Sequence, residues 1–239
     1  MRLVLLLGLV ACVTTNSPDT TLASNRIGAT VDRVADGDSF RAGDLEVRLV
    51  GVNAPELDEC YGAEASEWLQ NEIADRMVEL VIVGVDQFDR SLAEVYFEDR
   101  WINQELVASG HALALSSSAT ELLDAEGDAR IDARGMWGTE ICGVNDPLPQ
   151  VAIVDVVFNP PGEDTDEAVT IRNLEGRAVD LSGFVLRDES SVNRIELGEF
   201  TMPAGSETVV LTSSVWNNNG DTALLLDAAG RIVSVYRYP

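Results

Sequence analysis

Residues 47–56 read Val47-Arg48-Leu49-Val50-Gly51-Val52-Asn53-Ala54-Pro55-Glu56. The β-branched residues in this stretch predict a strand over Leu45–Val52. Because the side chains of a strand alternate between its two faces, Val47 and Leu49 share one face and Arg48 takes the other. An arginine therefore interrupts a mostly apolar strand, and a glutamate follows soon after the strand ends.

Two more segments carry residues of the same chemical kind. Asp36-Gly37-Asp38-Ser39 comes before the strand, and Arg90 comes ahead of an alternating apolar run. The aspartates offer the oxygen ligands that a hard cation prefers. With one glutamate and two arginines they suit hydrolysis of a phosphodiester, in which negative charge on the phosphate must be neutralised. The alternative for Arg48 alone is a solvent-exposed arginine on an edge strand.

The first 144 residues otherwise alternate between strand and helix patterns. An antiparallel meander is predicted by β-branched segments between turn signals, at Ile27–Val34, Ser39–Arg41 and Leu45–Val52. The period then changes, and apolar residues on one face predict an amphipathic helix over Ala63–Met77. Two strands and two helices follow, at Val78–Val85, Leu92–Glu98, Trp101–Ser109 and Thr120–Ala133. This order is compatible with a five-stranded β-barrel of the OB type with helices.

The remainder of the chain is all strand and turn. Residues 145–150 have the composition of a linker, and about seven short strands follow between clusters of Gly, Pro and Asn. They are Val151–Phe158, Glu167–Asn173, Phe184–Arg187, Arg194–Leu197, Glu207–Leu211, Ala223–Asp227 and Arg231–Tyr236. This spacing predicts an immunoglobulin-like β-sandwich. The fold class is thus mainly β with some α, and the expected domains span residues 26–144 and 151–239.

The charge of the chain limits its functions. Among 239 residues there are 16 basic and 41 acidic ones, which gives a formal net charge of −25, and none of the basic residues is lysine. Such a surface repels nucleic acid and argues against a tight, non-enzymatic DNA-binding protein. It argues less against an enzyme, which needs positive charge only at its site. His111 is the single histidine, which excludes paired-histidine nucleases; we expect it to be a helix-end or packing residue.

The N-terminus indicates export. Residues 1–11 have a short basic start and an apolar run, as in a secretory signal peptide. The run ends at Cys12 in a pattern that resembles a bacterial lipobox, where a lipidated cysteine becomes the N-terminus and anchors the chain to a membrane. A polar tether extends to residue 25. The localisation expected is the cell envelope, and the alternative is a secreted protein with an incidental Cys12.

The other two cysteines support export as well. If Cys12 carries lipid, Cys60 and Cys142 remain as an even pair in an oxidising compartment. They flank the helices of the first domain, so we predict a disulfide between them. The alternative is two buried free thiols.

Residues from Ala29 to about Gly143 resemble the staphylococcal nuclease (thermonuclease) family. Several short segments in the right order are together far more specific than any one of them. They are Asp36–Ser39, Arg48–Glu56, Tyr61–Ala65, Asp86–Arg90, Asn103–Val107 and Arg134–Trp137. The resemblance implies an OB-type barrel and a calcium-dependent enzyme that cleaves DNA and RNA.

The resemblance also assigns a metal site. Asp38 would be a calcium ligand, and Ala54 would offer its backbone carbonyl. Asn53 stands where the family usually has a second carboxylate. Because calcium accepts amide oxygens, the expected result is weaker calcium binding or tolerance of other divalent cations.

Three further residues match the family's catalytic groups. Glu56 matches the general base, which orients or deprotonates the attacking water. Arg48 and Arg90 match the two phosphate-binding arginines.

Two segments depart from the family: Asp86–Asp89 lacks its lysine, and His111–Ser116 replaces tyrosines that help hold the nucleotide. The rival interpretation is therefore a surface binding protein with a weak or inactive barrel.

Val151–Pro239 resembles the lamin-tail domain, an immunoglobulin-like module. The resemblance rests on Phe158–Gly162 and, more specifically, on Val179–Asp188. Bacterial versions are attached to secreted nucleases and other exported proteins, which implies an accessory or binding role for an unknown ligand. We expect Asp180 and Asp188 to form turns, with cation binding as the alternative.

Overall fold

The computed structural model describes residues 25–160, 166–190 and 192–238, and two separate β-rich cores lie within them. The predicted signal peptide and Cys12 lie outside the described residues. Within those three ranges, no helix is long and apolar enough to cross a membrane.

The first core is a small barrel. Its strands are β1 (Ile27–Thr30), β2 (Arg33–Val34), β3 (Ser39–Ala42), β4 (Leu45–Leu49), β5 (Val52–Asn53), β6 (Met77–Val85), β7 (Ser91–Phe97), β8 (Arg100–Trp101) and β9 (Leu113–Ala114). The main sheet has the order β1-β6-β7-β4-β3-β2, and β8 adds to β7. β5 pairs with β9 beside this sheet.

Closure of the barrel depends on a bend in the first strand. The predicted strand Ile27–Val34 is divided after Thr30, so that β1 pairs with β6 while β2 pairs with β3. The same segment therefore lies at both ends of the sheet order and brings its two edges together. The predicted meander holds for β2 to β4 but was wrong for β1, because this bend turns β1 towards β6.

β4 is an inner strand of this barrel. It pairs antiparallel with β3 and parallel with β7. Val47 and Leu49 are buried in the core, and Arg48 takes the opposite face, as the alternation predicts. Arg48 is therefore not the edge-strand arginine of the alternative interpretation.

Three helices cover the barrel: α1 (Gly62–Ile73), α2 (Ile102–Ala108) and α3 (Thr120–Ile131). The prediction that α1 extends to Met77 was wrong. Ala74 is extended and Asp75 has a φ of 59°, a left-handed conformation that a helix does not continue through. Met77 consequently begins β6 and is 70% exposed.

The second core is the predicted sandwich. Its strands are β10 (Val151–Val157), β11 (Glu167–Asn173), β12 (Val179–Asp180), β13 (Val185–Arg187), β14 (Arg194–Glu196), β15 (Thr201–Met202), β16 (Glu207–Thr212), β17 (Asp221–Leu226) and β18 (Ile232–Tyr238). One sheet has the order β10-β11-β16, the other β14-β13-β17-β18, and β12 pairs with β15. The two-residue strands β12 and β15 were not predicted, since so short a segment has no detectable alternation.

The barrel and the sandwich contact each other directly. Leu113 and Met136 of the barrel region pack with Leu224 of β17 in a third apolar cluster. Arg237 donates to the Ala114 carbonyl oxygen at 2.8 Å and contacts Glu126, whose side chain is 1% exposed. We call this contact region the domain interface.

The predicted disulfide between Cys60 and Cys142 is confirmed, with a Cα–Cα distance of 5.5 Å. Two predicted turns are confirmed as well. Asp180 accepts hydrogen bonds from Ser182, and Asp188 accepts them from Ser190, as turn-forming aspartates do.

Reduction of the Cys60–Cys142 bond should lower the melting temperature. The cysteines are 82 residues apart, and closing a loop of this length stabilises a fold by about 4 kcal/mol in the chain-entropy description. Calorimetry with and without reductant measures the shift, and the double variant Cys60→Ser/Cys142→Ser serves as a control that reductant should not affect. Maleimide labelling of both cysteines before reduction, mapped by peptide mass, would contradict the bond.

Candidate active site

Asp38 is held by the tight turn that its own motif forms. The Asp36 carboxylate accepts hydrogen bonds from the Asp38 backbone N–H at 3.1 Å and from the Ser39 hydroxyl at 2.6 Å. Gly37 lies so close to Ala54 that a Cβ on it would stand 2.6 Å from the Ala54 Cβ. Any larger residue at position 37 would separate Asp38 from the chain after β5.

The Asp38 carboxylate is buried and has two strong partners. Its Oδ2 accepts the Ala54 backbone N–H at 2.7 Å and lies 2.9 Å from Nη1 of Arg48. Burial raises the pKa of Asp38 to about 7, although Arg48 and the Ala54 N–H oppose the rise. The charged form of this carboxylate is therefore costly and favours additional positive charge beside it.

Arg48 connects Asp38 to the third predicted ligand. Its Nη2 donates to Oδ1 of Asn53 at 2.7 Å, and its Nη1 donates to the Val52 carbonyl oxygen at 3.1 Å. The Arg48 side chain is 15% exposed, so it is oriented by these contacts rather than by solvent. The structure thus brings Asp38, Arg48, Asn53 and Ala54 into one cluster, as predicted from sequence.

Glu56 follows this cluster on a short turn that leads into α1. The Glu59 backbone N–H donates to the Glu56 carbonyl oxygen at 2.9 Å, and the Glu56 N–H donates to the Glu59 carboxylate at 3.2 Å. Partial desolvation raises the pKa of Glu56, and the charges of Asp36 and Glu59 raise it further, while Arg48 lowers it. A raised pKa brings a carboxylate closer to the range that suits a general base.

Arg90 immediately precedes β7, the strand next to that of Arg48, but is held by a different partner. The start of β7 runs parallel to β4, with Leu92 opposite Arg48. The Arg90 Nε donates to the Asp86 carboxylate at 2.7 Å, and its guanidinium lies 5.5 Å from the centre of the Phe88 ring. The described contacts do not join Arg90 to Asp38 or Arg48. The predicted phosphate-binding role of Arg90 would have to coexist with this ion pair, which engages only its Nε.

The two halves of the chain match two known families. Residues 46–139 match staphylococcal nuclease homologues, and residues 146–239 match the Lamin Tail Domain. An uncharacterized endonuclease of Escherichia coli O157:H7 is 30% identical over 126 residues, which are 50% of this chain and 79% of that protein. The chain belongs to the staphylococcal nuclease homologues.

Other relatives are matched over smaller shares of their length. An uncharacterized endonuclease of Haemophilus influenzae is 29% identical over 114 residues, or 45% of this chain and 64% of that protein. A probable staphylococcal-like nuclease of Oryza sativa subsp. japonica is 29% identical over 104 residues, or 43% of this chain and 28% of that protein. The resemblance to both families is confirmed, and the residue roles stay predictions.

The cluster of this staphylococcal nuclease homologue has the donors that a hard cation needs. Asp38, the Asn53 amide and the Ala54 carbonyl carry oxygens of types that calcium accepts, and a cation there would share Asp38 Oδ2 and Asn53 Oδ1 with Arg48. A cation beside Asp38 would also relieve the desolvation that raises its pKa. No group of three or more His, Cys, Asp or Glu side chains in the described part of the chain is placed to hold a metal. Such a cation would therefore depend on amide, carbonyl and water oxygens as well.

Three residues of the site were not predicted to contribute. Asp36 belongs to the quoted motif, so its spacing could have indicated its turn-forming role. Glu59 could not be found in this way, because its partner Arg187 is identified only by the fold, whereas Asp86 lies four residues from Arg90 in the quoted segment Asp86–Arg90 and could have been. His111 is a packing residue as expected, since its ring stacks on Trp68 at a centroid distance of 5.5 Å.

Gly62→Ala should displace Glu56, because a Cβ on Gly62 would lie 1.8 Å from the Glu56 carbonyl oxygen. Overpacking of this kind usually lowers the free energy of unfolding by about 1–3 kcal/mol. The matched control is Gly127→Ala in α3, where an added Cβ meets nothing within 4 Å and helix propensity favours alanine. Urea unfolding of both variants measures the difference. Equal stability of the two would show that Gly62 does not constrain this turn.

Proposed function

We propose that the barrel is a metal-dependent nuclease that hydrolyses phosphodiester bonds of DNA, RNA or both. Calcium is the proposed cation, with other divalent cations as alternatives. The observation that supports the proposal is the cluster of Asp38, Arg48, Asn53 and Ala54 with Glu56 on the next turn. The endonuclease and nuclease names of the relatives agree with it.

In the proposed reaction, Glu56 orients the attacking water or takes its proton. Arg48 is the arginine of the cluster, and its planar guanidinium suits the charge that develops on the phosphate oxygens. Arg90 would be the second phosphate ligand, through the terminal nitrogens of its guanidinium, while its Nε stays bonded to Asp86. Asp38, Asn53 and Ala54 would hold the cation, which supplies electrophilic stabilisation of the phosphoryl group.

The proposal extends to the location of the protein. The Cys60–Cys142 disulfide is a bond that persists in oxidising compartments, which supports export. We propose a cell-envelope protein held to a membrane by lipid on Cys12, or alternatively a secreted one.

The second candidate function is a binding protein with a weak or inactive barrel. Two observations favour it. Arg90 is paired with Asp86, and Asn53 provides an amide where the family usually has a carboxylate. In that case the sandwich carries the function, through a ligand that stays unidentified.

The nuclease proposal is tested by Glu56→Gln, which keeps the shape of the side chain and removes the base. We expect degradation of single-stranded DNA by the full chain with divalent cation and none with chelator. Glu56→Gln should lower kcat on the order of 10²-fold or more, the usual contribution of a general base. The exposed Glu67→Gln on α1 is the charge-matched control. No cleavage with any cation would favour the binding protein, and full activity of Glu56→Gln would remove Glu56 from the reaction.

The cation site is tested separately by Asn53→Asp. The added carboxylate should tighten calcium binding by roughly tenfold, equivalent to about 1.4 kcal/mol. Isothermal titration calorimetry measures the affinity without reference to cleavage. Asn71→Asp on the exposed face of α1 adds the same charge away from the cluster and should leave the affinity unchanged. Equal affinity of Asn53→Asp and the parent chain would remove residue 53 from the cation site.

A further inference from the structure

We propose that Arg187 of the sandwich is a positioning residue for Glu56 and that it acts through Glu59. The C-terminal domain would then be part of the nuclease site. This inference rests on the proposed function of the barrel. It is carried by two contacts in sequence: Arg187 to the Glu59 carboxylate, and Glu59 to the Glu56 backbone.

The first step is the link between Glu59 and Glu56. The Glu59 carboxylate accepts the Glu56 N–H at 3.2 Å, while the Glu59 N–H donates to the Glu56 carbonyl oxygen at 2.9 Å. Both backbone polar groups of Glu56 are therefore bonded to one residue. If the Glu59 carboxylate moves, the backbone that carries the Glu56 side chain loses one of its two restraints.

The second step is the link between Glu59 and the sandwich. The Arg187 Nη1 lies 2.9 Å from one Glu59 carboxylate oxygen and 3.1 Å from the other. The Arg187 side chain is only 4% exposed, and β13 is an inner strand between β14 and β17. A buried guanidinium on an inner strand has little freedom to move. It therefore fixes the Glu59 carboxylate in space.

The sandwich needs Glu59 as a partner because two of its arginines lie side by side. Arg194 lies directly opposite Arg187 across the β13–β14 pair, and its guanidinium also contacts Glu59. Like charges opposite each other on neighbouring strands repel, unless an anion lies between them. Glu59 is that anion, and it belongs to the barrel. Arg194 is 46% exposed, so its contact is weaker than that of Arg187.

The charged pair borders a cleft between the two domains. The cleft has a volume of about 560 Å³, and its lining includes Glu56 and Glu59 on one side and Arg187 and Arg194 on the other. Glu56 thus faces a space of which the sandwich forms one wall. Truncation of Arg187 would leave the exposed Arg194 as the cationic partner of the Glu59 carboxylate. The turn at Glu56 would then be held less firmly.

The domain interface offers a matched control for this effect. Arg237 makes a contact of the same kind, with its Nη2 at 2.8 Å from the Ala114 carbonyl oxygen and 3.2 Å from Glu126. That contact lies on β9, which pairs with β5, and none of the described bonds joins it to Glu56 or Glu59. Loss of Arg237 should therefore weaken the association of the domains without moving Glu56.

The test compares Arg187→Met, Arg237→Met and the parent full chain with single-stranded DNA as substrate. We expect Arg187→Met to lower kcat by roughly 10- to 100-fold, the range for a misplaced catalytic group, with KM within about threefold. Arg237→Met should lower the melting temperature and keep kcat. Glu59→Gln should reproduce the loss of kcat, and the double variant with Arg187→Met should be no slower than either single variant.

The outcomes distinguish failure of this inference from failure of the proposed function. If the parent chain cleaves DNA and Arg187→Met has the same kcat, the inference is overturned and the proposed function is left intact. Additive losses in the double variant, or an equal loss of kcat in Arg237→Met, would also overturn it. If Arg187→Met fails to fold, Glu59→Gln alone decides, because an unchanged kcat there breaks the chain of contacts. No cleavage by the parent chain overturns the proposed function and, with it, this inference.

Discussion

The buried ion pair between Arg48 and Asp38 is the interaction on which the site depends. It joins the inner barrel strand β4 to the turn that precedes β3, and the same guanidinium bonds Asn53 after β4. Taking two charges out of water costs several kcal/mol, and the cost is recovered only when both have further hydrogen bonds. The Ala54 N–H and the Val52 carbonyl provide these bonds. The barrel thus maintains a strongly polar cluster beside its apolar core, an arrangement that a purely structural role would not require.

The use of arginine follows from the overall charge. The chain has a net charge of −25 and no lysine, so all 16 of its basic residues are arginines. Arginine stays charged when buried and presents several donors in a fixed plane, which a lysine cannot do. Arg48 and Arg187 illustrate the result, because both are largely buried and both hold carboxylates.

Much of the barrel could be predicted from sequence because its signals are local. The alternation around Arg48, the turn residues of Asp36–Ser39 and the apolar face of α1 each follow from neighbouring residues. The bend after Thr30 and the end of α1 at Ile73 could not be predicted, because both are set by backbone pairing with distant strands. The same holds for the site. The residues of the Asp38 cluster lie near one another in sequence, whereas Glu59 acquires its partner 128 residues away.

The domain interface limits how independent the two domains can be. Glu126 is almost fully buried in the barrel and has Arg237 as a cationic partner, while Arg187 and Arg194 share Glu59 across the interface. If the domains separated, Arg187 and Arg194 would lose Glu59 and would repel each other. The predicted linker 145–150 is also held, since the Arg231 guanidinium donates to the Asp146 carbonyl oxygen at 2.7 Å. Hydrophobic contact alone would let the domains rotate against each other, but paired charges at several points select one orientation. The sandwich is therefore better described as one wall of the cleft that Glu56 and Glu59 line than as a module carried beside the barrel.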